Sequence, residues 1–411
     1  MPETKRNTIL NEYDLVTFFP GGWETPWRGR YLIEALSKLV PNSKILCVEN
    51  PIDLVVSLIK HPSQFLSRMR TGNAVRKVRG NLYVYRPWIF LNVHLAAKLF
   101  LFQKLNLEWI KFQLHDVVMR NNFRTNYLIT WFTDPFQVDY LNVLKAKLKV
   151  FDCYDEYAAQ SNSIYFRTKK ELMKKENKIL QHVDLTFVVS YLLYKNKQPG
   201  ARKIYVIPNA VDVDHFAKAA VNATIFAEDI IHIPHPIIGF HGNLSDRIDI
   251  DLLDWLAERN KEWSFVLVGG KDDYMKNKLI LMEFAERKNV YLLGKKSYED
   301  LPGYLKAFDV CLIPFRRDDL FSLSCSPLKL YEYLATGKPI VSTNLAGVSC
   351  FDSLVRIAQN NNEFEKHIRE ALREGFECHE MRIKIAENHS WGKRAEEIHN
   401  IIEKMVSRTK N

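Results

Sequence analysis

The sequence predicts an α/β protein made of two doubly wound, Rossmann-like domains. Short β-branched apolar runs alternate with helical patterns along the chain, which indicates mainly parallel sheets covered on both faces. A length of 411 residues also exceeds what one hydrophobic core usually organises. The alternation breaks after Pro208-Asn209, where a less regular segment follows. We therefore predict domains at residues 1–211 and 212–385, and a last amphipathic helix in residues 386–411.

The predicted elements follow one another in the order that such domains require. In the first domain they are "YDLVTFF", a helix from Pro26 to Leu39, "KILCVEN", "NYLITWF", "KVFDCYD", a charged helix through Leu180, "DLTFVVS" and "KIYVIPN". In the second they are "IIGFHG", Ile250 to Glu258, "SFVLVGG", Met275 to Arg287, "NVYLLG", Tyr298 to Phe308, "VCLIPF", Ser326 to Thr336, "KPIVST" and Glu363 to Glu374. Ligands of such sheets bind at the carboxyl ends of the strands, so the loops after the strands hold the candidate residues.

Charge and cysteine content narrow the class of protein. The formal charge of +10 favours an anionic partner, which is a nucleic acid, a membrane surface or a phosphorylated substrate. Lysines and arginines are spread among many acids rather than gathered in a stripe, so we expect no nucleic-acid binding. The six cysteines lack metal-ligand spacing. The first residues lack the apolar stretch of a signal peptide, and we expect a cytoplasmic protein.

The stretch from Trp88 to Ile110 is apolar but interrupted by polar residues and lysines, so it is too broken to span a bilayer. It is typical of amphipathic helices that pack in a domain or lie on a membrane interface. Basic residues precede it, namely Lys60, Arg68, Arg70, Arg76, Lys77 and Arg79. We predict peripheral contact of the first domain with anionic lipid at the inner face of the cytoplasmic membrane.

Two loops of the first domain contain candidate residues. In "FFPGGWETPWRGR", Gly22 permits close backbone approach, Trp23 offers a ring face and Arg28 a fixed charge. We predict that these three residues lie on the acceptor side of the site. The loop lacks the G-x-G-x-x-G fingerprint, which argues against a nicotinamide-dependent dehydrogenase. Asp155, just after "KVFDCYD", is a candidate base or orienting group, and helix capping is an equal alternative.

The second domain offers a candidate phosphate site. Gly242 and Asn243 follow the first strand of this domain and present backbone donors, with Arg247 nearby, although a plain turn has the same pattern. Arg316 and Lys329 flank the start of the helix after Ser326, which is expected to cap it.

The same helix raises a question about Glu332. Lys329 and Glu332 are three residues apart and therefore share one helical face. Their side chains either form an ion pair on the surface or both contact a ligand in one binding site.

The runs "FSLSCSPLKLYEYLATGKPIVST", "VIPNAVDVDHF" and "DCYDEYA" resemble glycosyltransferase family 4 of the GT-B fold, above all bacterial cell-surface polysaccharide and teichuronic-acid glycosyltransferases. This resemblance implies two Rossmann-like domains facing a central cleft. It implies transfer of a hexosyl group, with retention, from a nucleotide diphosphate sugar to a glycan or lipid-linked acceptor. It also implies no metal and no cofactor apart from the sugar nucleotide as substrate, and a last helix that packs back on the first domain.

The resemblance further implies roles for single residues. Glu332 maps onto the glutamate that holds the ribose hydroxyls, and a carboxylate suits a diol because it offers two acceptor oxygens. The donor-binding set is Gly242, Asn243, Arg316, Ser326, Leu328 and Glu332, and the catalytic set is Asp155, Arg247 and Lys329.

Three positions depart from the family pattern. Ser324 replaces a second glutamate, and Asn243 and Ile248 replace an Arg and Lys pair. The diphosphate contact is therefore assigned to Arg247, Arg316 or Lys329.

Three other functions remain open from the sequence. A sugar-nucleotide 2-epimerase has the same fold and needs no acceptor. A non-catalytic nucleotide-sugar-binding homologue would explain Ser324 and Asn243. A nucleic-acid-binding protein is the alternative that the basic charge suggests, and a gel shift at physiological salt tests it. The Asp triplets at Asp212 and Asp249 resemble metal sites, but we interpret them as helix and hinge residues.

Overall fold

The computed structural model describes residues 9–60, 63, 74–91, 100–159, 169–272, 278–375 and 377–408. The first domain is built on strands β1 (Asp14–Phe18), β2 (Ile45–Val48), β4 (Arg76–Arg79), β5 (Leu82–Tyr85), β7 (Leu128–Phe132), β8 (Leu148–Cys153), β9 (Leu185–Val188) and β10 (Ile204–Val206). They form one sheet in the order β10-β9-β8-β7-β1-β2-β5-β4. Strands β3 (Ile52–Asp53) and β6 (Trp88–Ile89) pair separately. Only β4 runs antiparallel to its neighbour among the described strands, and its exposed charges protect the sheet edge.

Helices cover both faces of this sheet. They are α1 (Arg28–Leu39), α2 (Leu54–Lys60), α3 (Phe100–Arg120), α4 (Lys169–His182) and α5 (Tyr191–Lys197). Side chains of α3 and α4 share one core with Val16 and Phe18 of β1, whereas α1 packs with Leu15 on the opposite face. Central strands such as β1 and β7 are buried throughout, as expected when both faces are covered.

The second domain repeats the plan. Its strands are β11 (Ile237–His241), β12 (Ser264–Val268), β13 (Val290–Gly294), β14 (Val310–Ile313), β15 (Ile340–Thr343) and β16 (Arg356–Ala358). All pair in parallel, in the order β13-β12-β11-β14-β15-β16. Its helices are α6 (Val213–Phe216), α7 (Ile250–Arg259), α8 (Lys278–Ala285), α9 (Leu301–Ala307), α10 (Leu320–Leu323), α11 (Leu328–Thr336), α12 (Asn361–Ala371) and α13 (Glu377–Asn388). Together the two sheets confirm the predicted pair of doubly wound domains.

The chain crosses between the domains twice, and the two crossings are hydrogen-bonded to each other. The Val211 N–H donates to the His389 carbonyl at 3.1 Å, and the Trp391 N–H donates to the Val211 carbonyl at 3.3 Å. Ala210 is buried in the core of the first domain and Val211 in that of the second. The physical boundary therefore lies at these two residues.

The last helix, α14 (Trp391–Arg408), lies on the first domain beside α1. Its buried side chains Ala395, Ile398 and Ile402 are part of the first domain's core. The Glu403 carboxylate also accepts hydrogen bonds from the backbone N–H groups of Ile9 and Leu10, at 2.6 and 3.0 Å. The helix thus fixes the end of the chain to the first domain, beside the segment that precedes β1.

The stretch considered for membrane contact has two parts in the structure. Trp88 and Ile89 form β6, and a long helix, α3, begins at Phe100. Residues 92–99, Arg68 and Arg70 lie outside the described residues, as does the predicted helix start at Met275. In the described part of the chain, no helix is both long and apolar enough to cross a membrane.

Candidate functional site

The two domains meet at the carboxyl ends of their strands, where the sequence predicts the site. Ser190 follows β9 and donates its hydroxyl hydrogen to the Ser324 carbonyl of the second domain at 2.6 Å. Arg247, in the loop after β11, reaches Asp155 in the loop after β8. The cleft between the domains is therefore bridged directly beside the candidate residues.

Glu332 projects from α11 toward the end of β11. Its Oε2 atom lies 2.9 Å from His241 Nε2, and the side chain is 15% exposed. Among the ion pairs of the described residues, none joins Glu332 to Lys329. The interpretation of Lys329 and Glu332 as a surface ion pair is therefore not supported. A carboxylate held at a strand end inside a cleft is suited to accept hydrogen bonds from a ligand.

Lys329 takes a different direction from the same helix. Its ammonium lies over the rings of Phe240 and Phe315, 5.1 and 4.9 Å from their centroids. Burial lowers the pKa of Lys329 to about 8, and the nearby Glu332 carboxylate offsets part of this effect. Gly242 has a φ of +123°, which favours glycine, and a Cβ there would lie 3.0 Å from Nζ, so the amine lies close to this backbone. Lys329 is thus a cation without a carboxylate within 4 Å among the described residues.

Arg247 and Asp155, two of the three predicted catalytic residues, form an ion pair across the cleft. Arg247 Nη2 lies 2.6 Å from Asp155 Oδ1, and the guanidinium stacks on Phe321 at 3.5 Å from the ring centroid. Burial raises the pKa of the Asp155 carboxyl, although the Arg247 cation acts in the opposite direction. The pair is therefore a partly buried charge contact, with side chains 23% and 22% exposed, that joins loops of different domains.

The remaining donor-side residues are placed unequally. Arg316 is held by Asp318 through two hydrogen bonds of 3.0 and 2.6 Å, so its charge is already engaged within its own loop. Asn243 is exposed in the loop after β11. Leu328 packs against the core of the first domain and so contributes to the domain contact.

Ser326 does not cap α11, and this prediction was wrong. Pro327 occupies the N-cap position, and no side chain accepts a capping hydrogen bond there. Ser326 is buried because the interdomain linker packs on it: Asn209 Nδ2 donates to the Ser326 carbonyl at 2.6 Å. Its hydroxyl lies 3.1 Å from that of Tyr331. Ser326 therefore connects the second domain to the linker.

Arg28 was also assigned wrongly, since it does not face an acceptor. It is 3% exposed and pairs with Asp152 at 3.0 Å, while its Nη1 donates to the Pro208 carbonyl and to Asn209 Oδ1. Charge pairing with a buried aspartate draws the guanidinium inward. Arg28 thus anchors the linker that also holds Ser326.

Trp23 is the third correction, because its ring is not available to a ligand. The residue is 1% exposed, and the ring stacks on Phe19 with 5.6 Å between centroids. Its backbone N–H donates to Glu49 Oε1 at 2.5 Å, which folds the loop inward. Gly22 lies beside the same carboxylate and Arg86, whose Nη2 would be 3.3 Å from a Cβ at this position. Of the acceptor-side set, Gly22 alone is partly exposed at the strand ends.

Ser324 and Ile248, two of the three positions that depart from the family pattern, have structural roles. The Ser324 hydroxyl donates to the Leu320 carbonyl at 2.6 Å, and Ile248 is buried. Asp212 and Asp249 cap α6 and α7 by accepting the N–H groups of His215 and Leu252. Among the described residues, no group of three or more His, Cys, Asp or Glu side chains is arranged to hold a metal ion.

The sequence did not indicate two side chains in the region of Glu332, namely His241 and Tyr31. His241 ends β11 directly before Gly242, and a polar residue at that strand end was the available signal. Tyr31 of α1 lies 6.0 Å from Tyr298 of the second domain, measured between ring centroids. Burial raises the pKa of Tyr31 to about 12, so its hydroxyl stays protonated as a donor. No sequence pattern indicated this contact, because the two residues are far apart in the chain.

Two facing Rossmann-like domains with a carboxylate and cations at the cleft define the GT-B class. The chain superposes on the sucrose-phosphate synthase of Thermosynechococcus elongatus with a TM-score of 0.70 and 14% identity, covering 96% of this chain and 100% of that one. This likeness shows the fold. Residues 235–374 match the family model described as "Glycosyl transferases group 1".

Two relatives give the same picture in sequence. One, from Bacillus subtilis, is named as a teichuronic acid biosynthesis glycosyltransferase, TuaH; it is 27% identical over 212 residues, 49% of this chain and 51% of the relative. The other is an Escherichia coli UDP-Gal:alpha-D-GlcNAc-diphosphoundecaprenol alpha-1,3-galactosyltransferase, 30% identical over 159 residues, 36% of this chain and 38% of the relative. The matches thus span about half or less of these relatives. They confirm the predicted resemblance to glycosyltransferases with the GT-B fold.

Proposed function

We propose that this protein is a glycosyltransferase that moves a sugar from a nucleotide diphosphate sugar to a glycan or lipid-linked acceptor in cell-surface polysaccharide synthesis. The observation that carries the proposal is the position of Glu332 and Lys329 together, on one helix, at the cleft between the domains. A carboxylate that pairs with no lysine or arginine among the described residues suits the ribose diol, and a lysine that pairs with no carboxylate there suits the diphosphate. The names of the two relatives, one with a UDP-linked donor and a lipid-linked acceptor, support it.

In the proposed mechanism the chain orients the reactants and stabilises the leaving group. Lys329 and Arg247 meet the negative charge that grows on the diphosphate as the glycosidic bond breaks. With retention at the anomeric carbon, the departing diphosphate itself accepts the proton of the acceptor hydroxyl. Asp155 lies at the opposite wall of the cleft and is the residue proposed to orient that hydroxyl once donor binding releases it from Arg247.

The acceptor proposal places the first domain against the inner face of the cytoplasmic membrane. Helix α3 exposes large apolar side chains on the face of the sheet that α4 also covers, namely Leu101, Phe102, Leu105, Phe112 and Met119. On α4 the exposed residues Lys169, Lys170, Lys174 and Lys178 lie on the solvent side. Apolar and basic side chains on one side of a domain suit an anionic lipid surface.

The experiment for the activity uses purified protein with radiolabelled nucleotide sugars and a lipid-linked acceptor extract. Label is expected in the lipid phase only when donor, acceptor and protein are all present. Donor converted to a free epimer and nucleotide without any acceptor would instead identify an epimerase. Absence of both reactions with every donor, despite nucleotide binding, would leave a non-catalytic binding protein.

The membrane contact is tested separately with anionic liposomes at low salt. We expect the protein to co-sediment, and Phe112→Ser to reduce the bound fraction. Leu279→Ser is a matched control, because Leu279 is an apolar residue on α8 of the second domain that is at least as exposed, 74% against 60% for Phe112. A protein that stays in the supernatant would refute the membrane proposal without touching the catalytic one.

A further inference from the structure

His241 is a buried histidine at the carboxyl end of β11 with no role assigned by the resemblance. The residue is 5% exposed. Tyr333 contacts it twice, because the His241 backbone N–H donates to the Tyr333 hydroxyl at 3.0 Å and the imidazole packs edge-on against the Tyr333 ring. The imidazole is therefore held by the strand and by α11, the helix that also carries Glu332.

The contact between His241 and Glu332 is close but incomplete. Nε2 lies 2.9 Å from Glu332 Oε2, yet the geometry is not that of a hydrogen bond, and Nε2 has no hydrogen-bond partner among the described residues. Leaving a buried polar atom of this kind without a partner costs free energy. At this distance, a small rotation of the Glu332 carboxylate would complete the bond.

We propose that His241 is a positioning residue that fixes Glu332 for recognition of a ribose diol. In the ligand-bound protein, Nε2–H donates to Oε2, and Oε1 accepts from the ligand hydroxyls. A freely rotating carboxylate would bind a hydroxyl less selectively, because ordering it costs side-chain entropy on binding. The inference rests on the proposed function, since it needs a nucleotide in the cleft, and it adds the residue that makes the site selective for ribose.

The test compares binding of a ribonucleoside diphosphate with that of its 2′-deoxy counterpart. Calorimetry first identifies the tightest binder among UDP, ADP and GDP, and the ratio of its affinity to that of the 2′-deoxy form measures ribose recognition. His241→Phe keeps a planar ring without the N–H, and His241→Gln retains an N–H at similar reach. We expect the ratio to fall by about tenfold in His241→Phe and to be largely restored in His241→Gln.

His367→Phe is the matched control, because His367 also lies beside a carboxylate, Glu370, but on α12. It should leave the ratio unchanged. If His241→Phe fails to fold, His241→Asn, which is too short to reach Glu332, is expected to show the same loss.

A folded His241 variant with an unchanged ratio and only a lower melting temperature would reduce His241 to a packing residue and overturn the inference. A wild-type protein that binds nucleoside diphosphates without preferring ribose would also overturn it while leaving the proposed function intact. If the wild-type protein binds none of the three and neither CDP nor dTDP, the proposed function itself fails.

Discussion

At the residue scale, the strongest assignment is Glu332, because it faces the cleft with His241 as its close neighbour. If Glu332 binds a ribose diol, Glu332→Ala should weaken nucleotide binding by about 1.5–3 kcal/mol, the usual range for hydrogen bonds to a charged group. The fold should survive, since the side chain is not part of either core. Calorimetric titration measures the loss, and a melting curve controls for folding. Wild-type affinity in a folded Glu332→Ala protein would remove Glu332 from the site.

Lys329 gives a prediction about pH, because burial lowers its pKa to about 8. Below that pH the amine is charged and attracts the diphosphate, and above it the neutral amine does not. Nucleoside diphosphate affinity should therefore fall as the pH rises above about 8. Lys329→Arg should flatten this decline, since arginine stays charged throughout. The measurement is the dissociation constant between pH 7 and pH 10 for both proteins. If it changes equally with pH in the wild-type protein and in Lys329→Arg, a cation other than Lys329 contacts the diphosphate.

Lys329→Ala extends this test to the rate. Phosphate charge grows in the transition state, so loss of the cation should lower kcat as well as affinity. Single-turnover kinetics separates the two effects. A variant with a raised KM and an unchanged kcat would mean that Lys329 binds the donor but does not stabilise the leaving group.

The sequence did not predict which side chains of a loop are buried. Trp23 and Arg28 have the residue types of a ligand site, but both are buried by partners distant in the chain, Glu49 and Asp152. Glu332 and Lys329 could be predicted, because three-residue spacing fixes a shared helical face whatever the fold. The sequence could not predict that His241, rather than Lys329, is the partner of Glu332.

At the element scale, α14 ties the second crossing to the first domain. Ile402 is 1% exposed in the first domain's core, so Ile402→Ala should lower the free energy of unfolding by about 2–5 kcal/mol. Lys404→Ala, at an exposed position on the same helix, is the control and should change it by less than about 0.5 kcal/mol. Denaturant unfolding is followed by tryptophan fluorescence in a Trp255→Phe, Trp263→Phe background, which removes the tryptophans of the second domain so that the signal reports on the first domain. Equal stabilities of the two variants would show that the helix does not brace that domain.

The order of strands and helices could be predicted, because hydrophobic periodicity and the length of each apolar run are local properties of the sequence. The ends of the helices were harder to predict. The strands from β7 to β10 and from β11 to β15 fall where apolar β-branched runs predict them. Helix α11 starts after Ser326 as expected, but Pro327 occupies the N-cap position and Ser326 is bonded to the linker residue Asn209. That contact depends on the packing of two domains, which no local pattern contains.

At the scale of the whole molecule, the two arginines proposed for the diphosphate are each held by an aspartate. Arg316 pairs with Asp318 in its own loop, whereas Arg247 pairs with Asp155 of the opposite domain. Nη2 of Arg247 is the atom that contacts Asp155, so a donor phosphate that binds this nitrogen would displace Asp155 and loosen one contact between the domains. We therefore expect the Arg247–Asp155 ion pair to couple donor binding to domain opening. The hydrogen-bonded crossings at Val211 and Trp391 are the expected hinge.

Asp155→Asn tests that coupling. Removing the competing charge should tighten nucleoside diphosphate binding roughly tenfold, equivalent to about 1.4 kcal/mol, because Arg247 is then free to meet the phosphate. Asp318→Asn is the matched variant, since it frees Arg316 in the same way without touching the other domain. Calorimetry on both distinguishes the two arginines: tighter binding only in Asp155→Asn selects Arg247, and tighter binding only in Asp318→Asn selects Arg316. Weaker binding in Asp155→Asn would mean instead that Asp155 orients Arg247 for the donor, and the exchange would be refuted.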